Sequence, residues 1–187
     1  PVHLELTVED ATYDGSPHGA AVSSQDVSPE DYEVTYRGAN GTEYGPTSKA
    51  PTDAGGYTAE VKLVNPNMTG SQTTTYTISP AEQVIEGKTN YAATYGNAGI
   101  VFENTAKTPV SYEVVPNEDG SPSPISIQGS YASIVSAGKV RVVAHAAASR
   151  NYAVAKDVEL TVDVSPAPLL VIVDDAERFE GEENPAF

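Results

Sequence analysis

The stretch Thr73-Thr-Thr-Tyr-Thr-Ile-Ser-Pro-Ala81, "TTTYTISPA", recurs 86 residues later as "VELTVDVSPA", Val158 to Ala167. In the second version Val158, Leu160, Val162 and Val164 alternate with Glu159, Thr161, Asp163 and Ser165. In the first, Tyr76 and Ile78 keep the same phase against Thr75 and Thr77. A period of two is the mark of a strand with one face buried. The proline after each serine lacks an N–H and fixes φ, so it ends the strand. A strand closed by Ser-Pro-Ala therefore terminates each of two units.

Other landmarks fall in the same order. "TYDG" (Thr12 to Gly15) returns as "TYGN" (Thr94 to Asn97) and, more loosely, as "RFEG" (Arg178 to Gly181). "DAGGYTAEV" (Asp53 to Val61) matches "SAGKVRVVA" (Ser136 to Ala144), and Asn67 matches Asn151. The offsets lie between 82 and 86 residues. Landmarks in one order at nearly one offset define a repeat. Residues 1–81 form repeat 1 and 82–167 repeat 2; 168–187 are expected to hold the first strand and turn of a third. The chain opens directly at Pro1-Val-His-Leu and reads as an excised piece of a longer tandem array.

The marker shared by the three starts is an aromatic followed within two residues by glycine: Tyr13 with Gly15, Tyr95 with Gly96, Phe179 with Gly181. Asp14 and His18 beside the first marker have the chemistry of an acid–base pair. Gly96 follows Tyr95 in the second copy, with no histidine near it. The shared element is thus read as a structural turn in which glycine supplies the bend.

Short alternating segments occur elsewhere. Tyr32, Val34 and Tyr36 alternate with Glu33, Thr35 and Arg37, and Tyr57, Ala59, Val61 and Leu63 with Thr58, Glu60, Lys62 and Val64. No segment sustains a helical period. With 15 Gly and 14 Pro between them, such strands predict a small antiparallel sandwich per repeat. The short link predicts a stiff joint and modules placed end to end.

The chain carries 26 acidic and 10 basic residues, a net charge of −16. Nucleic acid is excluded as a partner, because phosphate contacts require a basic surface. Anionic membrane surfaces are disfavoured likewise, and no apolar run reaches the length of a membrane span. There is no cysteine, which removes disulfides, zinc thiolates and thiol nucleophiles. No catalytic motif is found and no cofactor is expected. His3, His18 and His145 lack ligand spacing. Acidic runs are candidates for calcium in residue type alone; Asp174 and Asp175, near a module junction, are the pair to test. A Lys–Asn amide crosslink is rejected, since Lys88 has no asparagine opposite it in Val158–Val164. Asn40-Gly-Thr42 and Asn67-Met-Thr69 are acceptor triplets that matter only in a glycosylating host. Among 11 tyrosines, Tyr44, Tyr91 and Tyr131 are the candidates for a surface that stacks on sugars.

"TYDGSPH", "DAGGYTAEVKLV", "NMTGSQTTTYTISPA" and "LLVIVDDAERFEGEENPAF" together resemble the MBG repeats, mostly bacterial immunoglobulin-like domains. These show an aromatic–Asp/Gly start, an Ala-Gly turn before a late strand, and a junction ending in Pro-Ala or Lys-Ala. The phrase from "VSYEVV" to "VRVVAHA" in the second copy is similar to another bacterial immunoglobulin-like subtype. The resemblance implies tandem immunoglobulin-like β-sandwich modules, no catalytic residues, and an extracellular or bacterial cell-surface setting as stalk or adhesive repeats. The partners implied are the neighbouring repeats. A ligand-binding module for a host glycan or protein, and an accessory domain of a secreted hydrolase, are the alternatives.

Overall fold

A computed structural model describes residues 3–172 and 180–181. Their regular secondary structure is nearly all strand, in two sandwiches with separate cores. The first holds β1 (Glu5–Thr7), β2 (Ala11–Thr12), β3 (Ala21–Ser23), β4 (Tyr32–Ala39), β5 (Gly55–Leu63) and β6 (Ser71–Ser79). One sheet has the order β2-β6-β5-β4, and β1 pairs with β3 in the other. The second holds β7 (Asn90–Thr94), β8 (Ile100–Val101), β9 (Val110–Val115), β10 (Ile125–Gln128), β11 (Tyr131–Ile134), β12 (Gly138–Ala146) and β13 (Val158–Ser165). Its sheets run β7-β13-β12-β9 and β10-β11-β8.

The alternation fixes which side chains enter each core. Tyr57, Ala59, Val61, Tyr76 and Ile78 are buried with Leu6 and Tyr36 in the first sandwich. Val140, Val142, Leu160, Val162 and Val164 are buried with Phe102, Ile125 and Ala132 in the second. Burying each large apolar side chain contributes about 1.5–3 kcal/mol against exposure. The tyrosines of the first core direct their hydroxyls to the backbone. Tyr76 donates to the His18 carbonyl at 2.7 Å and Tyr57 to the Asp53 carbonyl at 2.7 Å, while Tyr36 accepts from the Ala20 N–H at 3.0 Å. Each ring thus fills the core while its polar tip fixes a loop.

The sequence repeat is a repeat of hydrogen bonding. Thr12 pairs with Ser79 and Thr94 with Ser165; the amides of Tyr13 and Tyr95 then donate to those serine carbonyls, both at 2.8 Å. Gly55 lies opposite Ile78, and Gly138 opposite Val164. One feature departs from an all-antiparallel reading: β2–β6 and β7–β13 are parallel pairs. Parallel pairing needs a long crossover. Here most of the repeat is that crossover, because a strand near its start, β2 in the first and β7 in the second, pairs with its closing strand.

The apolar run at residues 169–173 is expected from sequence to join a sheet of the second sandwich or of another chain. Leu169, Leu170, Val171 and Ile172 lie in no strand and are 87%, 80%, 70% and 76% exposed. Pro166 and Pro168 explain the break, since neither donates to a ladder, and β13 ends at Ser165. Val173 lies outside the described residues.

Candidate functional site

The turn that marks each repeat is a positive-φ glycine: Gly15 at 82°, Gly96 at 90° and Gly181 at 96°. A side chain with a Cβ adopts these angles only with strain. Phe179 lies outside the described residues. The structure does bring Asp14 and His18 together, Oδ1 to Nε2 at 3.1 Å. Asp14 also accepts the Ser16 N–H at 2.7 Å. That amide above all, with His18 adding to it, holds the Asp14 carboxyl below the usual carboxylate range. A carboxylate tied to its own turn is a turn element, and no second copy of it exists at Gly96.

The three candidate sugar-stacking tyrosines do not converge. Tyr44 is half-buried in the first sandwich, edge-on to Tyr57 with centroids 5.5 Å apart, and donates to the Lys49 carbonyl at 2.8 Å. Tyr91 is not a surface residue. It is 8% exposed, packed edge-on against Phe102 at 5.1 Å, and burial pushes its hydroxyl pKa up. Its place in β7 opposite Val162 carries the ring into the core. Tyr131 is 45% exposed on β11, and its oxygen accepts the Gly99 N–H at 3.1 Å. The calcium candidates Asp174 and Asp175 lie outside the described residues. Among the described residues no group of three or more His, Asp or Glu side chains is placed to hold a metal ion. His145 instead lies 2.7 Å from Asp157, Nδ1 to Oδ1.

A dense constellation of polar contacts among the described residues is one the sequence did not announce. It is the joint between the two sandwiches. The loop between β12 and β13 carries Arg150, Asn151 and Tyr152. The turn before β5 carries Asp53 and Ala54. Asn151 accepts the Ala54 N–H on Oδ1 at 2.9 Å and donates Nδ2 to Asp53 Oδ1 at 3.0 Å. Arg150 donates Nε to the Ala54 carbonyl at 3.1 Å and Nη2 to the Tyr57 hydroxyl at 3.3 Å; its Nη1 lies 3.3 Å from Asp53 Oδ2. Tyr152 stacks edge-on against Tyr13, the first turn marker, at 5.5 Å.

The linker is stitched into the same loop. The Ala81 N–H donates to the Asn151 carbonyl at 2.9 Å, and the Ala153 N–H to the Ala81 carbonyl at 2.8 Å, a strand-like pairing of Ala81 with Tyr152. Two residues on, Gln83 is 6% exposed. Its Nε2 donates to the Ala153 carbonyl at 2.8 Å and to Thr108 Oγ1 at 3.0 Å, and its Oε1 accepts the Lys107 N–H at 3.1 Å. A buried amide with both ends satisfied pins the linker to the second sandwich.

Residues 4–82 match the family model of the MBG domain. The first sandwich is an MBG domain. The MBG domain supplies to the joint its turn marker, its Ala-Gly turn and its terminal Ser-Pro-Ala. No curated protein matches the chain. Among solved structures, the titin domains z1z2 in complex with telethonin share 17% identity, over 89% of this chain and 97% of that one, with a TM-score of 0.41. Human mucin-like protocadherin EC1-2 shares 9%, over 88% and 99%, at 0.37. Drosophila N-cadherin EC1-3 shares 11%, over 87% and 64%, at 0.36. Among the described residues no helix is long and apolar enough to cross a membrane.

Proposed function

We propose that the chain is a non-catalytic spacer segment of a secreted or surface-anchored bacterial protein, built from tandem immunoglobulin-like modules with a fixed joint. Residues 1–81 and 82–167 are the modules, and 168–187 open a third. The observation that carries this reading is the joint. Two side chains, Arg150 and Asn151, reach across it with five polar contacts, and a buried glutamine anchors the linker. A tether between independently moving domains has no use for such contacts; a rod that must hold a distal domain away from a surface does. The net charge of −16 supports the same role, keeping such a rod soluble and unaggregated.

The rival is a ligand-binding module, and the exposed Tyr131 is the residue that would serve it. The test is a glycan array and a panel of host matrix proteins probed with the full chain. A spacer gives no reproducible binding. A hit that is lost on Tyr131→Ala overturns the reading.

A further inference from the structure

The two sandwiches differ in how their first and last strands are held together, and that difference decides how each answers to a pull. In modules joined end to end, tension comes into a module at its opening strand and leaves at its closing one. In the second sandwich these are β7 and β13, which run parallel with Asn90 opposite Thr161 and Thr94 opposite Ser165. The chain therefore comes in at one end of this ladder and leaves at the other. Tension slides β7 along β13 and loads all the rungs together. An antiparallel pair would put both chain ends at one end of the ladder, and its rungs would open one at a time.

The β7–β13 ladder is long and anchored at both ends. It spans five residue pairs. The Thr161 N–H donates to the Thr89 carbonyl at 2.7 Å at one end, and the Tyr95 N–H to the Ser165 carbonyl at 2.8 Å at the other. Sliding β7 also drags Tyr91, 8% exposed against Phe102, out of the core. The first sandwich divides its opening between two sheets instead. There β1 pairs with β3 over three residues, and β2 with β6 over two. Where the second of these ladders would continue, the Asp10 carboxylate accepts the Thr77 N–H at 2.7 Å in place of a strand carbonyl. The two pieces are loaded in turn, so at most three residue pairs oppose the pull at once.

We infer that the chain is a tension-bearing element, with the β7–β13 ladder as its mechanical clamp and the first sandwich as the part that yields first. The inference rests on the spacer reading above, because a spacer held at both ends is loaded along its axis. It goes beyond that reading: the joint resists bending, whereas this ladder resists extension. Forced unfolding is governed by the unfolding rate, so the order of yielding follows the ladders rather than the equilibrium stability of the two cores.

The experiment is single-molecule pulling with optical tweezers. The absence of cysteine lets thiol handles be placed on the full chain at chosen positions. Handles at Lys88→Cys and Ser165→Cys shear the ladder. Handles at Lys88→Cys and Lys156→Cys, at one end of both strands, peel it; all three positions are exposed. At the same loading rate the sheared chain is expected to unfold at a several-fold higher force than the peeled one. Equal forces overturn the inference. Pulled between its termini, the chain should unfold in two steps of unequal force. The bonds at Thr89 and Tyr95 set the alternation, so the Ala93 N–H faces β13 and the Ala92 N–H faces away. Ala93→Pro should lower the higher step alone. Ala92→Pro should leave it in place, because proline is tolerated where the N–H points off an edge strand. A higher step unmoved by Ala93→Pro, or lowered as far by Ala92→Pro, overturns the inference. If Ala93→Pro does not fold, the comparison of shear with peel decides by itself. The two readings fail separately. Equal forces in the two directions remove the clamp and leave the spacer standing; glycan or matrix binding lost on Tyr131→Ala removes the spacer and leaves the forces as they are.

Discussion

Replacing Asn151 with alanine removes both of its side-chain bonds across the joint, to the Ala54 N–H and to Asp53 Oδ1. The bond to the Ala54 amide is neutral and the bond to the Asp53 carboxylate is screened by solvent at a side chain 48% exposed; at about 0.5–1.5 kcal/mol each they give about 1–3 kcal/mol, the Ala54 amide being left without its acceptor in a part-buried site. The ionic partner matters less. Arg150 and Asp53 have side chains 49% and 48% exposed, and such pairs contribute about 0–1 kcal/mol. Asn151 is therefore the residue on which closure of the joint depends. At 1.4 kcal/mol per tenfold, the open fraction of the joint rises by roughly 5- to 150-fold. Amide hydrogen exchange reads this at one position. Protection of the Ala54 N–H in Asn151→Ala should fall by that factor, while Val61 and Val142, buried in the two cores, keep theirs. Unchanged exchange at Ala54 would refute the reasoning. An equal loss at Val61 and Val142 would refute it as well, because it would mean that whole modules open.

Phe102→Ala removes a 2% exposed ring packed against Tyr91 and Tyr112, so the second module should lose about 3–5 kcal/mol in urea unfolding with the first module unaffected. Gln83→Ala leaves the Ala153 carbonyl and the Lys107 amide without this partner, at a cost of about 1–3 kcal/mol, read as earlier cleavage of the linker under limited proteolysis. In the first core, burial foremost, with Tyr36 and Tyr57 adding, raises the Tyr76 hydroxyl above its ordinary 10.0. A raised folded pKa means the folded state holds its proton more tightly. Stability is thus fully present below about pH 10 and is lost as pH rises further, which thermal melts across that range should show.

Much of the fold was legible because its signal is local. Tyr76, Ile78, Leu160, Val162 and Val164 are buried in the phase that alternation gives them. The parallel pairs were not, because a strand with one buried face has a period of two whichever way its partner runs. Tyr91 could not be placed either. It sits in "NYAAT", where alanines beside it give no bulky residue to set the phase. The joint was hidden for a different reason. Arg150 and Asn151 lie in a loop without period, and their partners Asp53 and Ala54 are 96 to 98 residues away. Asn67 and Asn151 served as landmarks of the repeat, yet nothing local says what such an asparagine holds. Gln83 reads as an exposed polar residue until the linker is folded onto the loop that follows β12.

The joint fixes one sandwich to the other, and the absence of cysteine makes that directly measurable. Spin labels placed through Arg37→Cys and Ser126→Cys, both exposed and one in each sandwich, report the distance between them by pulsed electron–electron resonance. A single narrow distribution is expected for the parent chain, broadening in Asn151→Ala. A broad distribution in the parent, unchanged by Asn151→Ala, would contradict the account.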